Sequence, residues 1–278
     1  MDYKKFQSIF FKLLAIFIGC GIILFLSCRK FESSPYQSDK TNIPTNLNAK
    51  NIEKLLSSDS TSDDTVTIIF TGDAQRYYDQ LDSLVQKVNQ FKNIDFLILD
   101  GDISDFGLLQ EFLRVNERLV KLHVPYICTV GNHDLNANGS EIYTRMFGPK
   151  NFSFTYKKYK FLCHDDNSRE YNFPGNVPDL KWLSNELNDS SAKWFVGVSH
   201  VPPWSPDFDQ KMVHDYLNLL GSKPGFILSL HGHEHIAEEP VYYNNDSVLY
   251  MNSNGVQNNK CYLLKLINGN IIIQMIQY

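Results

Sequence analysis

Residues 66–75 read VTIIFTGDAQ and residues 96–105 read FLILDGDISD, and the two stretches follow one pattern. Each begins with a run of apolar, β-prone residues and then passes through glycine into an aspartate. The same change from an apolar run to polar residues of metal-ligand type follows residues 126–130, 194–199 and 226–230. The pattern predicts five buried strands, each followed directly by candidate functional residues.

The segments between these strands have helical periodicity. Apolar residues recur at helical spacing in three stripes: Leu81, Leu84, Val85 and Val88; Leu108, Phe112, Val115 and Leu119; Val213, Tyr216, Leu217 and Leu220. Strands that alternate with helices predict an α/β layered domain. Residues 248–251, 262–267 and 271–276 instead form strands without helices, and Asn268-Gly269 is a strong hairpin signal. We therefore expect antiparallel strands to complete the sheets.

The five predicted strands run directly into clusters of polar residues. In chain order the clusters are Gly72-Asp73-Ala74-Gln75, Gly101-Asp102-Ile103-Ser104-Asp105, Gly131-Asn132-His133-Asp134, His200, and Gly232-His233-Glu234-His235. In α/β sheets the loops at the carboxyl ends of strands converge on one crevice. The sequence therefore predicts a single site built from all five clusters.

In this order the clusters resemble the motifs of the calcineurin-like metallophosphoesterase superfamily, over about residues 66–235. The resemblance implies an α/β fold in which two mixed sheets form a layered β-sandwich flanked by helices. It also implies two divalent metal ions as cofactors, from among Mn, Fe, Zn and Mg. One ion would be bound by Asp73, Asp102 and His235. The other would be bound by Asp102, Asn132, His200 and His233, so that Asp102 bridges the two.

One position departs from the commonest pattern of the family, because Gln75 stands where that pattern has histidine. An amide oxygen is a harder and weaker ligand than imidazole, so direct ligation would weaken one metal site and favour manganese or magnesium over zinc. The alternative is that Gln75 only hydrogen-bonds a metal-bound water.

The activity that the resemblance implies is hydrolysis of a phosphomonoester or phosphodiester by a hydroxide that bridges the two ions. His133 is then the candidate to protonate the leaving group or to steady the phosphate. Asp105 matches the carboxylate that orients this histidine. Two rivals are a lipoprotein that keeps the fold and binds metal without turnover, and a nuclease of the same fold.

Several residues are interpreted as structural. His123, His164 and His214 are solitary, and His231 precedes its cluster, where we expect a supporting or structural role. Cys128, Cys163 and Cys261 are three scattered cysteines, which do not form a disulfide framework. Substrate identity depends on loops, where Arg76, Tyr77, Tyr78 and Trp204 could contact the substrate or only pack.

The chain carries a formal net charge of −5, and residues 1–27 contain three lysines and one aspartate, so the remainder is more acidic still. A negative chain without clusters of basic and aromatic residues argues against nucleic acid as a partner. The partner that the motifs imply is a phosphate ester, and no protein partner is evident.

The N-terminal residues resemble a bacterial lipoprotein signal. A short basic segment precedes an apolar core of about 14 residues, which is shorter than the ~20 residues of a membrane-spanning helix, and Ser27-Cys28 closes it. We predict a signal peptide at 1–27, lipid attachment at Cys28, a flexible tether at 28–64 and a catalytic domain at 65–278. Cys20 after Gly19 is a weaker alternative for lipid attachment. Within the tether, residues 48–56 could form a short helix, whose apolar stripe is too small to fold alone. An uncleaved signal anchor is the alternative. Both place the domain outside the cytoplasm, on the periplasmic or cell-surface face of a membrane.

Overall fold

The computed structural model describes residues 3–28, 34–58, 64–236, 240–242 and 248–278. The chain forms two compact units, Met1–Gln37 and Ser38–Tyr278. The first unit contains the helix α1 (Tyr3–Cys28). Among the described residues, we find no helix that is both long and apolar enough to cross a membrane. The side chain of Cys28 lies outside the described part, so lipid attachment there stays a prediction.

The second unit contains six further helices and eleven strands among its described residues. The helices are α2 (Leu47–Ser58), α3 (Tyr78–Val88), α4 (Leu109–Leu119), α5 (Gly139–Met146), α6 (Leu180–Leu187) and α7 (Val213–Gly221). The strands are β1 (Val66–Thr71), β2 (Phe96–Leu99), β3 (Tyr126–Cys128), β4 (Phe152–Tyr156), β5 (Tyr159–Cys163), β6 (Trp194–Val198), β7 (Phe226–His231), β8 (Val241–Tyr242), β9 (Leu249–Asn252), β10 (Lys260–Ile267) and β11 (Asn270–Gln277).

These strands form two mixed sheets. The first sheet has the order β11-β10-β1-β2-β3 and the second has the order β4-β5-β6-β7-β9-β8. Strands β1, β2 and β3 are parallel, as are β5, β6, β7 and β9. The parallel strands therefore present their carboxyl ends at a common edge of each sheet, which is where ligand sites form in α/β proteins.

Alternation of side chains along the strands creates the layers. In β1, Ile68 and Phe70 belong to a core that also contains Phe161 and Val196 of the second sheet. The intervening Ile69 packs on the other side, in the core shared with α3, α4 and α5. Helices α6 and α7 cover the outer side of the second sheet. The predicted class, two mixed sheets flanked by helices, is confirmed.

Two features of the sheets differ from the prediction. Strand β9 was expected among the closing antiparallel strands; it pairs antiparallel with the short β8 but in parallel with β7, whereas β10 and β11 form the predicted hairpin. The β4–β5 hairpin was not predicted, because its turn at Tyr156–Tyr159 contains no glycine. Lys157 takes the left-handed conformation there (φ 54°).

Helix α2 lies where the sequence allowed a short helix, within the segment 28–64 that was otherwise predicted to be a flexible tether. Its Leu47 and Leu55 are buried, and the side chain of Asn48 exchanges hydrogen bonds with the backbone of Cys128. The apolar stripe is too small to fold alone, and it becomes ordered by packing on the domain. The compact unit accordingly begins before residue 65.

Candidate metal centre

The polar residues that follow β1, β2, β3, β6 and β7 lie together at the carboxyl ends of the strands. Contacts between the two sheets join them: Nδ1 of His200, after β6, lies 2.9 Å from the carbonyl oxygen of Asp100, at the end of β2. Ligand atoms of Asp73, Asp102 and His200 all lie within 4.8 Å of one another, and all three residues are buried. The structure therefore unites the predicted clusters in one site.

Four of the candidate ligands have the left-handed backbone conformation. They are Asp73 (φ 52°), Asp102 (φ 52°), His233 (φ 71°) and His235 (φ 59°). For residues other than glycine this conformation costs on the order of 1 kcal/mol or more, and it concentrates at functional sites. Gly131 allows the close approach of two loops, because a Cβ there would lie 2.2 Å from the backbone nitrogen of Asp102.

The first group of donors consists of Asn132, His200 and His233. Nε2 of His200 and Nδ1 of His233 each lie 3.1 Å from Oδ1 of Asn132. The outer nitrogens of both rings face oxygen acceptors, the carbonyl of Asp100 and the carboxylate of Asp207, which favours protons on the outer nitrogens. The inner nitrogens of both rings then face Oδ1 of Asn132, an arrangement of three possible donor atoms that a cation would stabilise.

The second group consists of Asp73, Gln75 and His235. Nε2 of His235 lies 3.2 Å from Oδ1 of Asp73, and its Nδ1 meets the amide of Gln257 at 3.0 Å. Asp102 belongs to both groups, because its Oδ2 lies 3.3 Å from Nε2 of His200 and 3.2 Å from Nε2 of Gln75.

Unpaired buried oxygens show that these residues fit a metal. Within the described residues, neither carboxylate oxygen of Asp73 accepts a hydrogen bond of good geometry, and Oε1 of Gln75 has no partner. A buried carboxylate that lacks well-formed hydrogen bonds is costly, and a divalent cation beside Asp73 would lower that cost. Carboxylate, amide and imidazole donors suit Mn, Fe, Zn or Mg.

The pKa shifts reflect opposite charges that are buried side by side at this centre. Burial raises the pKa of Asp102, but interactions with His200 outweigh burial and lower that pKa to about 2. Burial lowers the pKa of His200, whereas Asp102 and two further carboxylates raise it well above its usual range. Burial and the nearby His200 lower the pKa of His233.

His133 and Asp105 lie beside this centre and contact each other. Nδ1 of His133 lies 2.8 Å from the backbone carbonyl oxygen of Asp105 and 3.4 Å from its carboxylate. The backbone N–H of His133 donates to Oδ1 of Asp102 at 2.9 Å. The guanidinium of Arg76 binds the Asp105 carboxylate. Nδ1 is thus engaged, which leaves Nε2 of His133 for a ligand.

Three supporting carboxylates were missed or passed over in the sequence. Asp134 accepts backbone N–H bonds from Ile103, Ser104 and Gly131, and its place within Gly131–Asp134 could have signalled this role. Asp166 accepts from the backbone N–H groups of His200 and Val201. Asp207 contacts His233. Asp166 and Asp207 lie in loops, at no spacing that identifies them.

The remaining interpretations concern residues outside the centre. His231 is fully buried between the hydroxyls of Ser199 and Ser229, in a structural role. The side chains of Tyr77, Tyr78 and Trp204 are partly buried and pack against the cores. Cys128, Cys163 and Cys261 are buried free thiols.

Comparisons with known proteins agree with this geometry. A sequence model described as Calcineurin-like phosphoesterase matches residues 66–237. A probable cyclic nucleotide phosphodiesterase of Xenorhabdus bovienii is 31% identical over 100 residues, which is 34% of this chain and 34% of that protein. The match thus spans about a third of that relative's length.

Solved structures share the fold. A dimetal phosphatase from Danio rerio superposes with a TM-score of 0.58 and 14% identity, covering 77% of this chain and 99% of that one. The purple acid phosphatase PPD1 of yellow lupin (Lupinus luteus) gives a TM-score of 0.56 and 12% identity, covering 78% of this chain and 52% of that one. Because the family's sequence model matches more than half of the residues, this chain belongs to the calcineurin-like phosphoesterase family.

Proposed function

We propose that this protein hydrolyses phosphate esters at a centre that binds two divalent cations. The observation that carries the proposal is the position of Asp102, whose carboxylate is shared by the two donor groups. Asp73, Gln75 and His235 would hold one cation with Asp102, and Asn132, His200 and His233 would hold the other. Such cations, when bound, polarise phosphate oxygens and lower the pKa of an attacking water.

The chain's own residues would prepare this chemistry in three ways. Buried carboxylates supply negative charge at one point, so that cations are retained. The contacts of Asp100 and Asp207 orient the imidazoles of His200 and His233. His133, held through Nδ1 by Asp105, has Nε2 free to donate a proton to the departing oxygen.

The test is Asp102→Asn in the full chain, purified in detergent. We expect bound metal to fall and turnover of p-nitrophenyl phosphate to drop by more than about 100-fold, because one ligand serves both cations. Metal content is measured by mass spectrometry, and circular dichroism checks the fold. The matched control is Asp215→Asn, which removes an exposed carboxylate on α7.

Two outcomes are informative. Near-normal turnover with unchanged metal content in Asp102→Asn would contradict the proposal. Metal binding by the wild type without turnover of any ester would favour a non-catalytic binding protein of the same fold. The substrate panel includes phosphomonoesters, phosphodiesters and a cyclic nucleotide, the last because of the relative from Xenorhabdus bovienii.

We also propose that the protein is a lipoprotein anchored through Cys28, outside the cytoplasm. The support is the sequence of residues 1–28, with its basic start, apolar core and closing Ser27-Cys28. Cys28→Ala should abolish metabolic labelling with a fatty acid and change the membrane fractionation. An intact N-terminus and unchanged membrane association in both forms would favour the signal anchor.

A further inference from the structure

Arg76 is an exposed cationic residue that directly follows Gln75, which is hydrogen-bonded to Asp102 of the candidate metal centre. Gln75 donates its backbone N–H to the carbonyl oxygen of Asp102 at 2.9 Å and its amide N–H to the Asp102 carboxylate at 3.2 Å. Arg76 follows with a left-handed backbone (φ 58°), and its side chain is 57% exposed. The backbone is therefore strained at Arg76, the residue whose side chain leaves the centre and lies in solvent.

A second link fixes the position of the guanidinium. It binds Oδ1 of Asp105, a carboxylate whose side chain is only 8% exposed. The same Oδ1 lies 3.4 Å from Nδ1 of His133, and the backbone N–H of His133 donates to Asp102. Arg76 and His133 thus both contact the carboxylate of Asp105. This pair lies next to Asp102, the residue that the two donor groups share.

The guanidinium retains binding capacity in this position. Arginine has five N–H donors in a planar fork, and the contact with Asp105 uses one edge of it. Its exposure leaves the other donors open to a ligand that enters from solvent. Tyr77 and Tyr78 are partly buried against the core, so Arg76 is the residue of this loop that faces outward.

A fixed guanidinium distinguishes phosphate esters by charge. A phosphomonoester dianion has three non-bridging oxygens, whereas a diester has two, and its third position carries an organic group. If two oxygens bind at the metal centre, a monoester presents a third charged oxygen to Arg76. A diester presents a neutral ester oxygen there, which makes no charge-assisted hydrogen bond.

We infer that Arg76 is a specificity residue that binds the third non-bridging oxygen of a phosphomonoester, and that phosphomonoesters are the substrate class of this site. The inference rests on the proposed function. It extends that function from phosphate esters in general to the dianionic monoesters.

The experiment compares p-nitrophenyl phosphate with bis(p-nitrophenyl) phosphate, which share a leaving group, in the metal-loaded full chain. For Arg76→Gln, which keeps an N–H donor for Asp105, we expect the ratio of the monoester kcat/KM to the diester kcat/KM to fall about 10- to 100-fold. For Arg76→Lys, this ratio should lie between the ratio of the wild type and that of Arg76→Gln. Lys181→Gln, an exposed cation on α6, is the charge-matched control and should leave the ratio unchanged.

A binding measurement separates this inference from the proposed function. Inorganic phosphate and dimethyl phosphate are titrated calorimetrically into the wild type and Arg76→Gln, and we expect only phosphate to lose affinity. A wild type that turns over neither ester but binds phosphate through Arg76 would refute the hydrolase and keep the anion site. Equal losses for both esters and both anions in Arg76→Gln would refute the role of Arg76.

Discussion

Oδ2 of Asp207 lies 3.0 Å from Nε2 of His233, and the opposite nitrogen of the same ring lies 3.1 Å from Oδ1 of Asn132. Asp207 also binds the guanidinium of Arg169, whose backbone N–H donates to the Asp207 carbonyl. The loop after His200 and the loop after β5 are therefore tied together behind one candidate ligand. A carboxylate in this position holds the imidazole with its Nδ1 lone pair toward the centre.

The first prediction is that Asp207→Ala weakens metal binding by about 10- to 100-fold, because the imidazole of His233 loses its orienting acceptor. Affinity is measured by competition with a chelator of known strength. Arg169→Gln is the matched control, since it removes the outer partner of Asp207 and leaves the contact with His233. Unchanged affinity in Asp207→Ala, or an equal loss in Arg169→Gln, would contradict the positioning role.

The second prediction concerns His133 as the proton donor. His133→Asn should depress turnover of an alkyl phosphate by about 100-fold or more, and that of p-nitrophenyl phosphate much less, since nitrophenolate departs with little protonation. Steady-state kinetics on the two substrates provide the measurement. Equal losses on both would show that His133 binds phosphate and does not donate a proton to the leaving group.

Asp105→Asn provides the companion variant. The closest contact of Nδ1 of His133 is the backbone carbonyl of Asp105, at 2.8 Å, and the carboxylate is further away at 3.4 Å. The asparagine variant keeps that carbonyl, so its effect on the alkyl ester should be smaller than the effect of His133→Asn. A loss as large as that of His133→Asn would assign the orienting role to the carboxylate.

The grouping of the candidate ligands could be predicted from the sequence because these residues follow strands directly. Apolar runs that end in Gly-Asp, Gly-Asn-His or Gly-His place each side chain at a strand end, and parallel strands align those ends. Asp166 and Asp207 could not be predicted in this way, since loops without regular spacing place them. The β4–β5 hairpin could not be predicted either. Its turn contains Lys157 in a left-handed conformation, which the local sequence does not signal.

The third prediction concerns Gln75. Its amide nitrogen contacts Asp102 and its buried Oε1 has no partner among the described residues, so the side chain has one oxygen to offer a cation. An amide oxygen binds more weakly than imidazole. We expect the wild type to lose one ion to mild chelation and to regain activity best with manganese. Gln75→His should tighten that site by about tenfold or more and shift preference toward zinc.

Metal content after stepwise chelation decides this prediction. Two equally resistant ions in the wild type, with no change in affinity or preference in Gln75→His, would show that Gln75 is not a weak ligand. An affinity change without a change in preference would support hydrogen bonding to a metal-bound water instead.

The last prediction concerns stability against pH and rests on His164. This side chain is fully buried, with Nδ1 3.1 Å from the carbonyl oxygen of Leu162 and Nε2 3.1 Å from the hydroxyl of Tyr216. Burial lowers the pKa of His164 to about 4, against an ordinary value of 6.5. The folded state therefore binds this proton less tightly than the unfolded state does.

The sign of the effect follows from that difference. At pH values above the pKa of His164 in the unfolded state, the side chain is neutral in both states. Its contribution to the free energy of unfolding is then fully present. As the pH falls from 6.5 toward 4, the unfolded state takes up the proton first, so the free energy of unfolding decreases. Between about pH 7.5 and pH 5 the loss from this group is about 2 kcal/mol.

His164→Gln keeps a polar side chain but has no proton to gain. We expect the free energy of unfolding of the wild type to fall about 2 kcal/mol further than that of the variant over this interval, as measured by urea denaturation of the full chain. Parallel decreases in the two proteins would show that His164 is not the group that the fold keeps neutral.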